Sequence, residues 1–263
     1  MKLAFSTLGV PGLPVPDVLR LATTHGYAGV ELRAHPEEPV HPGSPPGVRA
    51  ETVRRFADAG VLPLSVAGYA RVAAPGPDEP VLAQLAELIR LAADLGAPYA
   101  RVFPGGGDQP AGEADALAAR RLGTAAPLAA DAGVRLLLET HDSHRRAEDV
   151  ERVLGLVGHR QVGALWDVLH TWLGGEAPET SVPALSPYLG YVQVKDVVSA
   201  DDLTPMPPGK GVLPLGACVA ALCRAGWDGW LCWEYEQRWY PGATPFTQVA
   251  DAGREFLGRL AAG

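Results

Sequence analysis

One local pattern, repeated five times, constrains the fold of this chain most strongly. In each copy a helical segment ends at a glycine, and a short apolar run follows at once. The copies read THGYAGVEL, DAGVLPLS, DLGAPYARV, DAGVRLLL and RAGWDGWLC. Glycine just beyond the last turn is the usual helix stop, and a continuous apolar run of this length is typical of a strand buried on both faces. The pattern predicts helix–strand units around a parallel sheet.

The same reading along the whole chain gives eight strands with helices between them. The predicted strands are 3–7, 29–33, 62–69, 99–105, 134–141, 162–167, 191–197 and 230–236. The predicted helices are 16–25, 48–59, 80–95, 113–132, 146–157, 179–188, 214–224 and 246–261. Eight such units in 263 residues predict an α/β fold, a (β/α)8 TIM barrel in a single domain over residues 1–263. The alternative is an open doubly wound sheet, but no G-x-G-x-x-G follows the first strand.

Charge and amino-acid composition argue against some classes of binding partner. The formal net charge is -8 and no basic stripe is visible, which argues against nucleic acid. The three cysteines form no C-x-x-C pair, as expected of free thiols in a reducing compartment. No apolar run approaches the ~20 residues that a membrane span needs. We therefore expect a cytoplasmic protein with no membrane partner.

Four successive strands in the second half end in an oxygen-bearing side chain. These residues are Glu139, Asp167, Gln193 and Glu234. The carboxyl ends of barrel strands meet at one rim, so the four side chains are expected to lie together. Carboxylate and amide oxygens suit hard divalent ions such as Mn, Mg or Co. The pattern predicts a metal site, although single polar residues at strand ends are also common as solvated groups.

Further polar and aromatic residues near the same strand ends are candidates for contacting a substrate. They are Arg101, His141, His170, Lys195 and Trp172, the last as part of an apolar wall with Tyr69 and Trp239. The loops 34–47 and 199–212 are long and Pro-rich, and both are expected at the rim. The pair Arg120–Arg121 is interpreted as a solvated helix face.

Taken together, the series E-T-H, D-x-x-H, K-D and W-E-x-E on strands five to eight resembles the xylose isomerase-like barrel superfamily. This superfamily contains sugar isomerases, ketose 3-epimerases, inosose and dehydroshikimate dehydratases, and AP endonucleases of family 2. The resemblance extends over the whole chain, including KLAFST at the start and GKGVLPLGACVAALCRAGWDGWLCWEYE near the end.

The resemblance implies specific roles. Glu139, Asp167 and Glu234 match the family's metal ligands, and Glu139 and Glu234 match its acid–base pair. His170 matches a histidine that contacts the substrate. Gln193 stands where the family usually has a metal-binding histidine, which favours Mn as the divalent metal, with Mg, Co or Zn as alternatives.

The activity that the resemblance implies is a metal-dependent isomerisation or epimerisation of a small sugar, sugar phosphate or polyol through an enediolate. A lyase of the dehydroshikimate or inosose dehydratase kind would use the same site. A third alternative is a sugar-binding barrel without catalysis, its metal binding weakened by Gln193. An abasic-site endonuclease is disfavoured by the seven histidines and the acidic charge. The resemblance also implies a homodimer or homotetramer.

Overall fold

The computed structural model describes residues 1–262; the last residue of the predicted domain, Gly263, lies outside the described residues. The strands are β1 (Lys2–Ser6), β2 (Gly29–Arg33), β3 (Leu62–Arg71), β4 (Tyr99–Phe103), β5 (Arg135–Glu139), β6 (Val162–Asp167), β7 (Leu189–Val194), β8 (Asp196–Val197), β9 (Pro205–Met206) and β10 (Trp230–Trp233). The helices are α1 (Val15–His25), α2 (Pro46–Ala59), α3 (Asp78–Leu95), α4 (Ala111–Asp131), α5 (Ala147–Val157), α6 (Val168–Leu173), α7 (Pro178–Leu185), α8 (Leu215–Arg224) and α9 (Phe246–Ala262).

Eight of these strands close into a parallel barrel in the order β1-β10-β7-β6-β5-β4-β3-β2. Helices lie between successive barrel strands. The predicted (β/α)8 TIM barrel is therefore confirmed, and the open doubly wound sheet is excluded. Among residues 1–262, none of the helices has both the length and the hydropathy of a membrane-spanning segment.

The glycine after each repeated helix adopts the predicted stop conformation. All five have φ between 66° and 72°, in the left-handed region, and they are Gly26, Gly60, Gly96, Gly133 and Gly226. This conformation turns the chain out of the helix without a steric penalty because glycine has no Cβ. The next few residues then enter the barrel strand, so the local pattern determines where each strand begins.

Two hydrophobic clusters fill the molecule. The larger one lies between the strands and the helices and includes Trp166, Trp233 and Phe246. The smaller one fills the barrel interior and consists of Ala4, Leu64, Leu137, Leu165, Tyr191 and Cys232. Alternate strand residues point the same way. Two residues beyond five of the six members stand buried polar residues: Ser6, Glu139, Asp167, Gln193 and Glu234. Arg101 likewise lies two residues beyond Tyr99, which packs against this cluster.

The structure differs from the sequence prediction at the ends of four strands, which stop two or three residues early. Strand β4 stops at Phe103 and β5 at Glu139, each two residues before its predicted end. Strand β7 stops at Val194, and the predicted remainder forms a two-residue strand, β8, that pairs antiparallel with β9. Strand β10 stops at Trp233, so Glu234 and Glu236 follow it rather than belonging to it. The short helix α6 directly after β6 was not predicted, since six residues are too few to show helical periodicity.

Candidate active site

A cavity of about 360 Å³ opens at the carboxyl ends of the barrel strands. Six of the residues predicted from the sequence contribute to its wall, namely Arg101, Glu139, His141, His170, Lys195 and Glu234. Asp167 and Gln193 are fully buried beneath it. The carboxyl end of a barrel is the usual location of active sites in this architecture. The structure thus brings eight of the nine candidate residues to one place.

Trp172 is the exception among the candidates. Its side chain is half-buried in α6 and packs against the main hydrophobic core. The aromatic residues in the cavity wall are Tyr69, Phe103 and Trp239. The unpredicted helix α6 changes the direction of the chain after Asp167, which is why residue 172 does not face the cavity.

Glu139 and Arg101 form a buried pair on neighbouring strands. Arg101 Nε lies 3.0 Å from Glu139 Oε2, and one terminal nitrogen donates to the Gly68 carbonyl at 3.0 Å. Burial raises the pKa of Glu139 to about 8, against the opposing effect of Arg101 and His141. Glu139 is thus a carboxyl group that holds its proton near neutral pH.

Lys195 lies within a cage of three carboxylates. Its Nζ is 2.7 Å from Asp167 Oδ2 and 2.7 Å from Glu236 Oε1, and it also contacts Glu234 Oε2. Burial by itself would lower the pKa of Lys195, but the three carboxylates outweigh it and hold the pKa well above its usual range. A permanent positive charge therefore sits among these acidic side chains.

Gln193 presents its amide nitrogen, rather than its oxygen, to the neighbouring carboxylates. Nε2 donates to Glu234 Oε1 at 2.9 Å and to both oxygens of Glu31, at 3.0 and 3.1 Å. Glu31 also accepts a hydrogen bond from the Tyr191 hydroxyl, and burial together with the nearby Glu234 raises its pKa. Sequence reasoning missed Glu31; the available signal was a single glutamate inside the apolar strand GVELR.

His141 and His170 face each other beside Glu139. Their ring centroids are 4.0 Å apart. Burial lowers the pKa of His170 well below its usual value, helped by the nearby positive groups His141 and Lys195. Glu139, His141 and His170 each offer one possible ligand atom, and these three atoms lie within 4.8 Å of one another. One carboxylate and two imidazoles in this arrangement can hold a metal ion.

Comparison with known proteins identifies the family. The family model described as xylose isomerase-like TIM barrel matches residues 19–260. The chain belongs to this family. This member is 31% identical over 105 residues to a Streptomyces coelicolor protein named "Putative hydroxypyruvate isomerase". That match covers 40% of this chain and only 36% of the other.

Solved structures share the fold of this family member at low sequence identity. D-psicose 3-epimerase from Clostridium cellulolyticum H10, solved with D-tagatose, has a TM-score of 0.84 at 16% identity, over 99% of both chains. The IOLI protein, solved with a bound zinc atom, has a TM-score of 0.83 at 17% identity, over 100% of this chain and 98% of that one.

The donor atoms of this barrel fit a cation. Among the described residues, the buried oxygens Glu139 Oε2, Asp167 Oδ2 and Gln193 Oε1 have no well-aligned hydrogen-bond donor. Two of them lie beside a cation of the chain, Glu139 Oε2 at 3.0 Å from Arg101 Nε and Asp167 Oδ2 at 2.7 Å from Lys195 Nζ, and Gln193 Oε1 has no such partner. A bound ion or water is a frequent explanation for a buried polar atom of this kind. The Lys195 ammonium already neutralises Asp167 and Glu234, however, so the four predicted oxygen ligands are not equally available.

Proposed function

We propose that this protein is a divalent-metal-dependent isomerase or epimerase that acts on a small sugar, sugar phosphate or polyol through an enediolate. The observation that supports this proposal is a pair of buried carboxyl groups, Glu139 at the end of β5 and Glu234 directly after β10, in the wall of one cavity. Moving a proton between neighbouring carbons, or between the two faces of one carbon, requires one acid and one base placed in this way.

The two carboxyl groups lie in different environments. Glu139 retains its proton near neutral pH, because burial raises its pKa to about 8. Glu234 accepts hydrogen bonds from Gln193 and Lys195. Carboxyl groups whose environments differ in this sense are the usual acid and base of a site. We assign Glu139 and Glu234 as the acid–base pair: one carboxyl group removes the carbon-bound proton, and the other returns one.

The cations of the site complete the proposal. A divalent ion, when bound, supplies electrophilic polarisation of a substrate carbonyl and hydroxyl. Arg101 and Lys195 place two fixed positive charges at the cavity wall, where they stabilise negative charge that develops on the substrate oxygens. His170, kept neutral by its surroundings, donates to or accepts from a hydroxyl group. Tyr69 and Trp239 offer ring faces to the C–H side of a sugar.

Proton exchange in D₂O is the experiment that tests this function most directly. The protein is incubated with Mn²⁺ and a panel of ketoses, aldoses, their phosphates and cyclic polyols, and deuterium incorporation at carbon is followed by NMR. We expect incorporation with at least one compound, reduced about 100-fold or more in Glu139→Gln and Glu234→Gln. Glu37→Gln, a half-exposed carboxylate paired with Arg238 at the rim, is the matched control and retains exchange.

The products separate the remaining alternatives. An epimer or isomer supports the proposal, whereas a conjugated product with new ultraviolet absorption identifies a dehydratase. Exchange that persists at the parental rate in both glutamine variants would rule out the assigned acid–base pair. Ligand-induced stabilisation without exchange for any compound would indicate a binding protein rather than an enzyme.

A further inference from the structure

We infer that the divalent ion binds to Glu139, His141 and His170 at the rim of the cavity, while the Lys195 ammonium permanently occupies the deeper cation position beside Asp167 and Glu234. This inference rests on the proposed function only for the need of an ion, and it replaces the four-oxygen ligand set predicted from the sequence. The site would then hold one exchangeable cation beside two positive charges of the chain, Lys195 and Arg101.

The geometry of the three rim residues carries the first half of this inference. Their nearest ligand atoms all lie within 4.8 Å of one another. Bonds of about 2.0–2.2 Å allow two ligands of one ion to be at most about 4.4 Å apart, so small rotations bring all three into range. Glu139 is 2% exposed, and its Oε2 lacks a well-aligned donor. The close partner of this oxygen is the Arg101 guanidinium, whose Nε is 3.0 Å away, and the Glu139 carboxylate also lies within 4.8 Å of a ring nitrogen of each histidine.

His141 is oriented for ligation by its neighbour. Its Nδ1 lies 3.2 Å from Asp142 Oδ2, which leaves Nε2 free for an ion. A carboxylate on the second ring nitrogen is the usual support of a metal-binding histidine. Asp142 is itself fixed, since its Oδ1 accepts from Gly105 N at 3.0 Å and from Ser143. Its φ of 33° is the one positive value at a non-glycine residue among residues 1–262, and such strain persists where surrounding contacts enforce it.

His170 is placed by the helix that the sequence did not reveal. Asp167 caps α6, with Oδ1 accepting from Leu169 N at 2.9 Å, and the first turn then carries His170 over the cavity. The nearest carboxylate contact of its ring is 3.7 Å, from Nε2 to Asp167 Oδ2, which is too long for a hydrogen bond. The imidazole is 18% exposed, so it remains accessible from the cavity.

The deeper position is closed to a divalent ion by the chain itself. Lys195 Nζ lies 2.7 Å from Asp167 Oδ2 and contacts Glu234, two of the four predicted ligands. The third, Gln193, turns its N–H groups toward Glu234 and Glu31. An ion there would meet the ammonium charge within a few ångströms and would need both side chains to move. Like charges at that distance repel strongly in a buried site.

The three rim ligands favour different metal ions from the four oxygen ligands predicted from the sequence. Two imidazoles and one carboxylate favour Zn²⁺, Fe²⁺, Co²⁺ or Mn²⁺, whereas Mg²⁺ prefers a shell of oxygens. The rim site therefore discriminates against Mg²⁺, in contrast to the oxygen set predicted from the strand ends. Selectivity among ions is a property that can be measured without knowing the substrate.

Cobalt binding tests the assignment directly. The metal-stripped protein is titrated with Co²⁺, followed by its visible absorption and by calorimetry, and Mg²⁺ is titrated in parallel. We expect one Co²⁺ per chain and no saturable Mg²⁺ binding. His141→Gln and His170→Gln should each weaken Co²⁺ binding by more than about 10-fold and alter the spectrum. His35→Gln, a half-exposed histidine at the rim but outside the triad, is the control and leaves both unchanged.

Asp167→Asn distinguishes the two ligand sets. The asparagine side chain keeps an oxygen that can cap α6, so His170 stays in place. The substitution removes the negative charge of residue 167, one of the four oxygen ligands predicted from the sequence. Co²⁺ affinity within about threefold of the parent supports the rim site. A large loss in Asp167→Asn with normal binding in both histidine variants would overturn it in favour of the oxygen set, and so would the absence of Co²⁺ binding by the parent.

The inference and the proposed function fail in different ways. Rim-site Co²⁺ binding without deuterium exchange on any compound would reject the enzyme but leave the metal site standing. No saturable Co²⁺ binding, together with exchange that continues in the presence of a strong chelator, would reject the metal site and leave the acid–base pair standing.

Discussion

Two adjacent arginines on α4 show how far burial can differ between neighbouring residues. Arg120 and Arg121 both donate to Asp78, but the Arg120 side chain is 57% exposed and that of Arg121 is fully buried. Arg121 also donates to four carbonyl oxygens, those of Val72, Ala74, Gly76 and Pro77. The interpretation of this pair as a solvated face is wrong for Arg121. Through these hydrogen bonds its guanidinium holds the loop between β3 and α3 in place. Nothing in the sequence around Arg121 indicates this role.

This difference predicts unequal costs for the same substitution. Arg121→Met removes the donor to four carbonyls, of which that of Val72 is buried, and should lower the free energy of unfolding by about 2–3 kcal/mol. Arg120→Met removes only an exposed ion pair and should cost less than about 1 kcal/mol. Urea unfolding of both variants measures the two values. Equal effects would show that the buried contacts of Arg121 contribute nothing beyond the ion pair.

The identity of most candidate residues follows from the sequence, but their contacts do not. Strand periodicity and the common rim of a barrel predict that Glu139, Asp167, Gln193 and Glu234 converge. Nothing local indicates that Gln193 turns its nitrogen toward Glu31, or that Lys195 reaches three carboxylates. These arrangements depend on residues more than a hundred positions apart or on different strands, so they need the closed barrel to be seen.

The three carboxylates around Lys195 should make its substitution costly and open a position for a metal ion. Lys195→Met leaves Asp167, Glu234 and Glu236 together without a cation and should cost about 3–5 kcal/mol of stability. The vacated position then presents several oxygen ligands, so Mg²⁺ should raise the melting temperature of the variant by several degrees. Melting curves with and without Mg²⁺ measure this effect. Lys210→Met, at an exposed position, is the control, and equal Mg²⁺ responses in all three proteins would contradict the prediction.

Helix α9 depends on one glycine where it packs against the barrel. A Cβ at Gly253 would overlap the indole ring of Trp233, a fully buried residue of β10. A Cβ at Gly123 in α4 would meet open space. Alanine is a better helix former than glycine by about 0.5–1 kcal/mol. Alanine at Gly123 should show this effect of helix propensity alone, whereas alanine at Gly253 also adds a steric overlap.

We therefore expect opposite results from the same replacement. Gly123→Ala should stabilise the protein by about 0.5–1 kcal/mol, through propensity and reduced freedom of the unfolded chain. Gly253→Ala should destabilise it by about 1–3 kcal/mol, because the added methyl group overpacks the contact with Trp233. Chemical unfolding at one pH provides both numbers. Stabilisation in both variants would mean that α9 shifts at no cost.

The segment between β8 and α8 is held by the carboxylate of Asp196. Its two oxygens accept from the backbone N–H groups of Val197, Gly209, Gly211 and Leu213, at 2.9–3.1 Å. The same segment supplies Leu203 to the cavity wall. The sequence predicted this stretch as a long rim loop, and its position at the rim agrees with that prediction. The two-residue strands within it are too short for periodicity to reveal.

Releasing this segment should affect binding more than chemistry. Asp196→Ala removes the two oxygens that accept all four hydrogen bonds. We therefore expect faster amide exchange over residues 198–212 and a several-fold higher KM with a smaller change in kcat. Asp202→Ala, an exposed carboxylate in the same segment, is the matched control. Hydrogen exchange tests the structural half before a substrate is known. Unchanged protection in Asp196→Ala would show that other contacts hold the loop.

At the scale of the whole molecule, the local repeat was sufficient to predict the architecture. Each of the five glycine stops precedes a strand, and the eight parallel strands with helices between them close into the predicted barrel rather than an open sheet. The features that remained hidden are the short ones, α6 and the β8–β9 hairpin, and both lie at the functional rim. Rim segments of a barrel carry function and are free to depart from the regular units.

The free energy of unfolding should depend on pH through different carboxyl groups in acid and in weakly alkaline solution. Hydrogen bonds from Arg120 and Arg121 lower the pKa of Asp78 to about 2. Burial raises the pKa of Glu139 to about 8, and that of Glu31 also rises. Asp78 thus contributes stability that is present above about pH 4 and is lost as the pH falls through about 2. Glu139 contributes stability that is present below about pH 4 and is lost as the pH rises through about 8.

Each side of this pH dependence should therefore respond to one substitution. In EDTA, the parent's free energy of unfolding should be greatest in weakly acidic solution and fall toward pH 9, because the folded state then holds an ionised Glu139 in a buried site. Glu139→Gln keeps an oxygen for Arg101 but cannot ionise, so its decline above pH 5 should be shallower. Asp78→Asn should flatten only the loss between pH 4 and 2. Urea unfolding across this range tests both, and a Glu139→Gln curve that runs parallel to the parent would show that Glu139 ionises in the folded state as readily as in water.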